Sequence, residues 1–226
     1  MKEIFLSALN LDECARYLGY KGNTPDENIL NIMKECEEQL VKTAVPRFLY
    51  KKFQIISNDD GVEVLGTNIV LTGNSIKRHL DRCNEVILLC ATLSQDVDKL
   101  IRITELKDMT RALITDALAS VAIEQLCDKV EEVLHDENPS LSMTYRFGVG
   151  YGDLSLKYEK DILNVLNAEK MIGLCSSDAY ILSPKKSVVC IIGLSDEEIN
   201  RKVRSCSMCN MQNRCEYRKR GERCGF

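Results

Sequence analysis

Tyr145-Arg146-Phe147-Gly148-Val149-Gly150-Tyr151-Gly152-Asp153 is the stretch on which the reading of this chain turns. Three glycines fall within five positions. Such a run lets a backbone turn tightly and come close to a ligand with no Cβ in the way. Arg146 at its head supplies a planar fork that suits a carboxylate. Tyr151 adds an aromatic face and a hydroxyl. The same residues also describe a plain turn, so the flanking sequence has to decide between the two.

Immediately upstream, residues 108–134 carry the longest helical pattern of the chain. Between Arg111 and Asp128 it is apolar nearly all round, interrupted by Asp116 and Glu124. A helix that is hydrophobic on every side is central and buried. Residues 136–154 read as a polar, glycine-rich loop, and 157–166 as a further helix. Residues 174–182 and 188–194 read as two strands joined around Ser183-Pro184 and paired antiparallel.

Further out, 11–18 is a short helix, closed by Gly19 and Gly22. Thr24-Pro25-Asp26-Glu27 predicts a helix capped by Thr24 with Pro25 in its first turn. Residues 48–56 and 62–71 are strand regions around an Asn58-Asp59-Asp60-Gly61 turn, and 75–83 is a short helix. The run at 86–92 is a buried strand, and Ser94 is the expected cap of a helix to about Leu106. The expectation is an α+β fold, an antiparallel sheet wrapped by long helices.

In this setting the loop and the segments C-terminal to it resemble the activation domain of cobalamin-dependent methionine synthase. An Arg-x-x-x-Gly-Tyr loop precedes a helix and two strands in that family. Here the match runs from Arg146 to Tyr151 through Glu159-Lys160 and the Leu166, Glu169, Lys170, Gly173 segment. It continues through Leu182-Ser183-Pro184 and Ser187-Val188. Leu18-Gly19-Tyr20-Lys21-Gly22 and Ala91-Thr92-Leu93 look like segments of free-standing members of the group. The resemblance implies one domain over residues 1–194 and a separate tail over 195–226.

It also implies a ligand, S-adenosylmethionine, held by Arg146, the backbone at Gly148 and Gly150, Tyr151, and a carboxylate on the long helix, for which Glu124 matches by position. Elementary charge pairing agrees, because a zwitterionic methionyl tail needs a cation for its carboxylate and an anion for its ammonium. A salt bridge or cap within the protein is the other reading of Glu124. The implied reaction is reductive methylation of a corrinoid. With no corrinoid-binding motif in the chain, the cobalamin would sit on a partner, a methionine synthase lacking its own activation domain or a related corrinoid protein. Binding groups are then expected without a nucleophile–base pair, and the two histidines, His79 and His135, lie in no catalytic motif. His79, within Lys77-Arg78-His79, reads as a helix-surface residue. Two departures favour a rival reading, a scaffold of the same fold without ligand. Gly193-Leu194-Ser195-Asp196-Glu197-Glu198 stands where the family has a tyrosine pair, and the family's N-terminal aspartate has no evident counterpart.

Composition frames these readings. The chain has 226 residues, 45% hydrophobic and 28% charged, enough for one sizeable core. Its longest apolar run is too short for a bilayer and its start lacks a signal-peptide pattern, so no membrane partner and a cytoplasmic location are expected. Seven of eleven cysteines lie mostly among apolar neighbours and read as reduced core residues. The other four give C-x2-C-x5-C-x8-C at Cys206, Cys209, Cys215 and Cys224, a set that suits zinc or an iron–sulfur cluster. Reduced thiols and disulfides are the alternatives. The chain carries −4 and its last 26 residues +6, which leaves −10 on residues 1–200. A basic tail on an acidic body suits a flavodoxin- or ferredoxin-like electron donor. A small metal-stabilised nucleic-acid-binding module is the rival, weakened by the presence of only Tyr217 and Phe226 as tail aromatics.

Overall fold

The computed structural model describes residues 3–20 and 23–199, together with Arg214 and Lys219. They form two compact units. The first comprises the chain up to Leu49, Cys90–Glu137 and Ala168–Val188; the second comprises Tyr50–Leu89, Asn138–Asn167 and the chain from Val189.

The first unit is a helical assembly built on α5 (Met109–Glu137). Asp108 starts this helix by accepting the Arg111 N–H at 3.1 Å. Its buried positions include Ala112, Ile114, Leu118, Ala119, Val121, Ala122, Leu126, Val130 and Leu134, which cover most of the cylinder as the apolar pattern predicts, while Leu113 is exposed and Ser120 and Glu124 are half-buried on the remaining side. Against it pack α1 (Leu11–Tyr17), α2 (Glu27–Thr43) and α4 (Gln95–Glu105). Small residues such as Ala112, Ala119 and Ala122 keep those approaches close. Leu118 and Leu126 are completely enclosed, so truncating either to alanine costs about 2–5 kcal/mol.

Capping fixes where these helices begin. Asn10 accepts the Glu13 N–H at 2.9 Å and starts α1. Asp26, not Thr24, caps α2 by accepting the Ile29 N–H at 2.9 Å. Two residues within three of each other both satisfy the local rule, and the carboxylate takes the position. Ser94 stands before α4 at φ 79°, with no side-chain cap bond. The first unit is completed by α7 (Ala168–Ile172) and a hairpin of β7 (Cys175–Ser176) and β8 (Leu182–Ser183).

Most of the sheet lies in the second unit. Its order is β3-β2-β1-β4-β9-β5, with β6 also paired to β9. The strands are β1 (Arg47–Ser57), β2 (Val62–Val64), β3 (Val70–Leu71), β4 (Glu85–Thr92), β5 (Ser142–Met143), β6 (Phe147–Gly148) and β9 (Ser187–Ser195). The β1–β2, β2–β3, β5–β9 and β6–β9 pairs are antiparallel. Two helices belong here, α3 (Asn74–His79) and α6 (Tyr158–Leu166). Tyr158 ties α6 to the sheet edge, its buried hydroxyl donating to the Val70 carbonyl at 2.7 Å and accepting the Thr72 N–H at 3.0 Å.

The fold is therefore α+β with an antiparallel sheet and helices. One detail of the expected pairing is corrected. Residues 174–182 are not a strand beside 188–194: β7 folds back on β8, with Ser177 N–H bonded to the Ile181 carbonyl at 3.0 Å, and β9 pairs instead with β5 and β6. Among the described residues no helix is long and apolar enough to cross a membrane.

Candidate functional site

Loop 144–154 of the second unit is laid onto β9. Thr144 docks first: its N–H donates to the Gly193 carbonyl at 2.9 Å, and the Gly193 N–H returns to its hydroxyl at 2.8 Å. Phe147 and Gly148 then pair with Ile191 and Cys190, and the Val149 N–H reaches the Val189 carbonyl at 3.1 Å. Arg146 lies inside this anchored stretch and is 7% exposed. Burying a guanidinium is costly unless it is countered, so its position is a deliberate placement of charge. Glu159, in the first turn of α6, is likewise 7% exposed. These two are the Arg, Lys, Asp or Glu side chains that are buried among the described residues, and both belong to the unit that carries the loop.

Beyond β6 the chain turns, with the Tyr151 N–H bonded to the Gly148 carbonyl at 3.1 Å and the Leu154 N–H to the Tyr151 carbonyl at 3.0 Å. The glycines are needed for contacts inside the protein. Gly150 has φ 87°, and a Cβ there would stand 2.6 Å from Leu156 Cδ2. Gly152 has φ 58° and abuts the Ser75 side chain. A Cβ on Gly148 would meet the Tyr151 ring at 3.2 Å. The ring itself is exposed and stands edge-on to Phe147, with centroids 6.2 Å apart.

The loop closes on α3. The Asp153 carboxylate accepts the N–H groups of Asn74 at 2.7 Å and Ser75 at 2.9 Å, satisfying donors that a helix start leaves open. Those bonds, Ser75 first, hold its pKa below the ordinary aspartate value against a smaller opposing effect of burial.

At the other end of α3, His79 is buried, which corrects its reading as a surface residue. Its Nε2 lies 2.8 Å from the Thr144 hydroxyl, and its ring packs on Tyr145 and Phe147 at centroid distances of 4.6 and 4.8 Å. A three-residue pattern of Lys77, Arg78 and His79 on a helix of under two turns gives no local sign of that contact. Asp153 stands in plain view in the decisive stretch; the sequence signal for it is an acid just after a glycine turn.

Of the expected ligand groups, Arg146, Gly148, Gly150 and Tyr151 thus share one loop of the second unit. Glu124 is half-buried on α5 in the first unit, where its charge adds to burial and to Glu13 in disfavouring ionisation of Tyr17. Cys206, Cys209, Cys215 and Cys224 lie outside the described residues. Among the described residues no cluster of three or more His, Cys, Asp or Glu side chains is arranged to hold a metal. The remaining seven cysteines are reduced; Cys14, Cys36, Cys90, Cys127 and Cys190 are buried as expected, whereas Cys83 and Cys175 are only half-buried.

The chain matches no protein-family model, and no curated protein matches it in sequence. Its fold does have a solved counterpart. The crystal structure of the MetH reactivation domain bound to AdoHcy superposes with a TM-score of 0.63 at 14% identity, covering 92% of this chain and 79% of that one. The polypeptide therefore has the fold of the MetH reactivation domain along nearly its whole length.

Proposed function

We propose that this protein binds S-adenosylmethionine and supports reductive methylation of a corrinoid held by a separate protein. The carrying observation is the fold, which is similar over 92% of the chain to a domain solved with AdoHcy, the demethylated form of that ligand. The residues on the loop fit such a molecule. Arg146 is a cation set in a buried, backbone-anchored segment, where a carboxylate contact is little screened by water. Tyr151 offers an exposed ring beside the Gly148–Tyr151 turn. In this reading Arg146 takes the carboxylate, and the Gly148 and Gly150 backbone with Tyr151 the remainder.

The ligand supplies a methyl cation equivalent: a cobalt(II) corrinoid, given one electron by a donor, takes the methyl and leaves S-adenosylhomocysteine. No side-chain base is required, and the protein contributes position and electrostatics. The corrinoid partner is a methionine synthase lacking its own activation domain or a related methyltransferase of the cytoplasm. A flavodoxin- or ferredoxin-like protein supplies the electron, attracted by the basic tail. A zinc ion or iron–sulfur cluster is assigned to Cys206, Cys209, Cys215 and Cys224 from their spacing in sequence.

The test is reconstitution of the full chain with a cobalt(II) corrinoid protein from the same cell, S-adenosylmethionine and a low-potential reductant. Visible spectra should show methylcobalamin only when all components are present. Failure with every such corrinoid protein would remove the reading. It would favour the second one, a ligand-free scaffold, which the exposed acids Asp196, Glu197 and Glu198 at the family's tyrosine-pair position support.

A further inference from the structure

We propose that His79 is a positioning residue for the ligand loop, acting through Thr144, and that α3 serves as the brace holding that loop at both ends. The inference rests on the ligand assignment above and adds to it the group that sets Arg146 in place.

The geometry is specific. Thr144 precedes Arg146 by two residues and makes two bonds with Gly193 of β9. Because the Gly193 N–H already donates to the Thr144 hydroxyl at 2.8 Å, the hydroxyl proton is free to be directed elsewhere. His79 Nε2 lies 2.8 Å from the hydroxyl and can receive that proton or, in its other tautomer, donate its own and leave the hydroxyl proton to the Tyr145 carbonyl at 3.3 Å. The hydroxyl is thus used as acceptor and donor at once, an arrangement valine cannot copy and serine can.

The rings add a second restraint. Tyr145 and Phe147, the neighbours of Arg146 on either side, both pack on His79, and Phe147 passes the contact to Tyr151. Gly193 makes room for this arrangement: a Cβ there would stand 2.5 Å from Cys83 Sγ and 2.9 Å from Leu80 Cδ2, both just beyond α3. At the opposite end of the same helix, Asp153 holds Asn74 and Ser75. A helix of six residues therefore holds the start of the loop through His79 and its end through Asp153.

The experiment measures S-adenosylmethionine affinity by calorimetry, and melting temperature alongside, for full-length wild type, Thr144→Val, Thr144→Ser, His79→Phe and the His79→Phe/Thr144→Val double variant. Loss of the His79–Thr144 bond should weaken binding about tenfold in His79→Phe, and by at least as much in Thr144→Val, which also removes the bond from the Gly193 N–H. Thr144→Ser should stay within about twofold of wild type, because it keeps the hydroxyl. The double variant should bind no more weakly than Thr144→Val, since that change already removes the His79 bond together with the Gly193 one. Serine binding as weakly as valine, additive single effects, or wild-type affinity in a folded His79→Phe variant would each overturn the proposal. If His79→Phe does not fold, the valine–serine pair decides alone. Wild-type protein that binds no S-adenosylmethionine overturns the ligand assignment and this inference together; wild-type binding with unaffected variants overturns this inference only.

Discussion

Asp153 accepts the backbone N–H of Ser75 at 2.9 Å across 78 residues of sequence, so the last residue of the glycine loop caps a helix from outside it. The contact has a pH signature. The Asp153 carboxyl is held below the usual carboxylate pKa range, first by the Ser75 N–H and also by the Asn74 N–H. A depressed folded-state value means that the stabilisation is fully present above the unfolded aspartate value of about 4 and is lost as pH falls below it. The group is exposed, so solvent screening limits the gain.

Asp153→Ala should accordingly lower stability by about 1 kcal/mol at neutral pH, in the range of a lost helix cap. Urea titrations at pH 7 and pH 3 should show the difference from wild type shrinking at the lower pH. A difference that is equal at both values would contradict the assignment.

The thiols of Cys14, Cys83 and Cys90 should be inert. Burial pushes Cys14 up to about 12, with Cys36 and Glu37 adding to it, and pushes Cys90 up to about 12. Cys83 is pushed up to about 11, by burial first and by Asp81 second. Only the thiolate reacts, so at pH 8 roughly one molecule in a thousand or fewer is reactive at each site. Brief iodoacetamide treatment of native protein followed by peptide mapping should leave all three unlabelled and label them after denaturation. Cys90 labelled equally fast in both states would contradict the burial.

How much of the molecule is legible in its sequence depends on how local the cause is. The central helix α5 can be read directly, because an all-round apolar stretch has one physical use and burial comes with it. The α+β class and the reduced core cysteines are legible for the same reason. The cap of α2 lies two residues later than the sequence suggests, because Thr24 and Asp26 are both good caps and sequence alone does not rank them. Within the region that reads as loop, β5 and β6 are two residues each, too short to show a strand period. The partner of β9 is not legible because pairing across the sheet is set by tertiary packing, and Leu182-Ser183 lies closer in sequence than Phe147. In the site, the residue types of the loop are visible; the His79–Thr144 bond, 65 residues apart, is not.

The cysteine tail gives a prediction from spacing alone. Cys206 and Cys209 are three apart, so a single turn can aim both sulfurs at one ion, with Cys215 and Cys224 completing four ligands. Protein purified without oxygen should contain one metal centre per chain by elemental analysis. Visible absorption should distinguish a coloured iron–sulfur cluster from colourless zinc. Absence of a centre from wild type, or its survival in a Cys206→Ser/Cys209→Ser variant, would contradict the assignment.

The central claim is ligand binding by the Arg146 loop, and calorimetric titration of the full-length protein with S-adenosylmethionine tests it most directly. Wild type should give saturable binding. Arg146→Ala should lose about ten- to hundredfold in affinity while remaining folded, the loss expected of a charge-assisted contact worth roughly 1.5–3 kcal/mol. Arg146→Lys should recover part of that loss, because an ammonium keeps the charge without the planar fork. No heat of binding with wild type, or equal affinity in wild type and Arg146→Ala, would contradict the account.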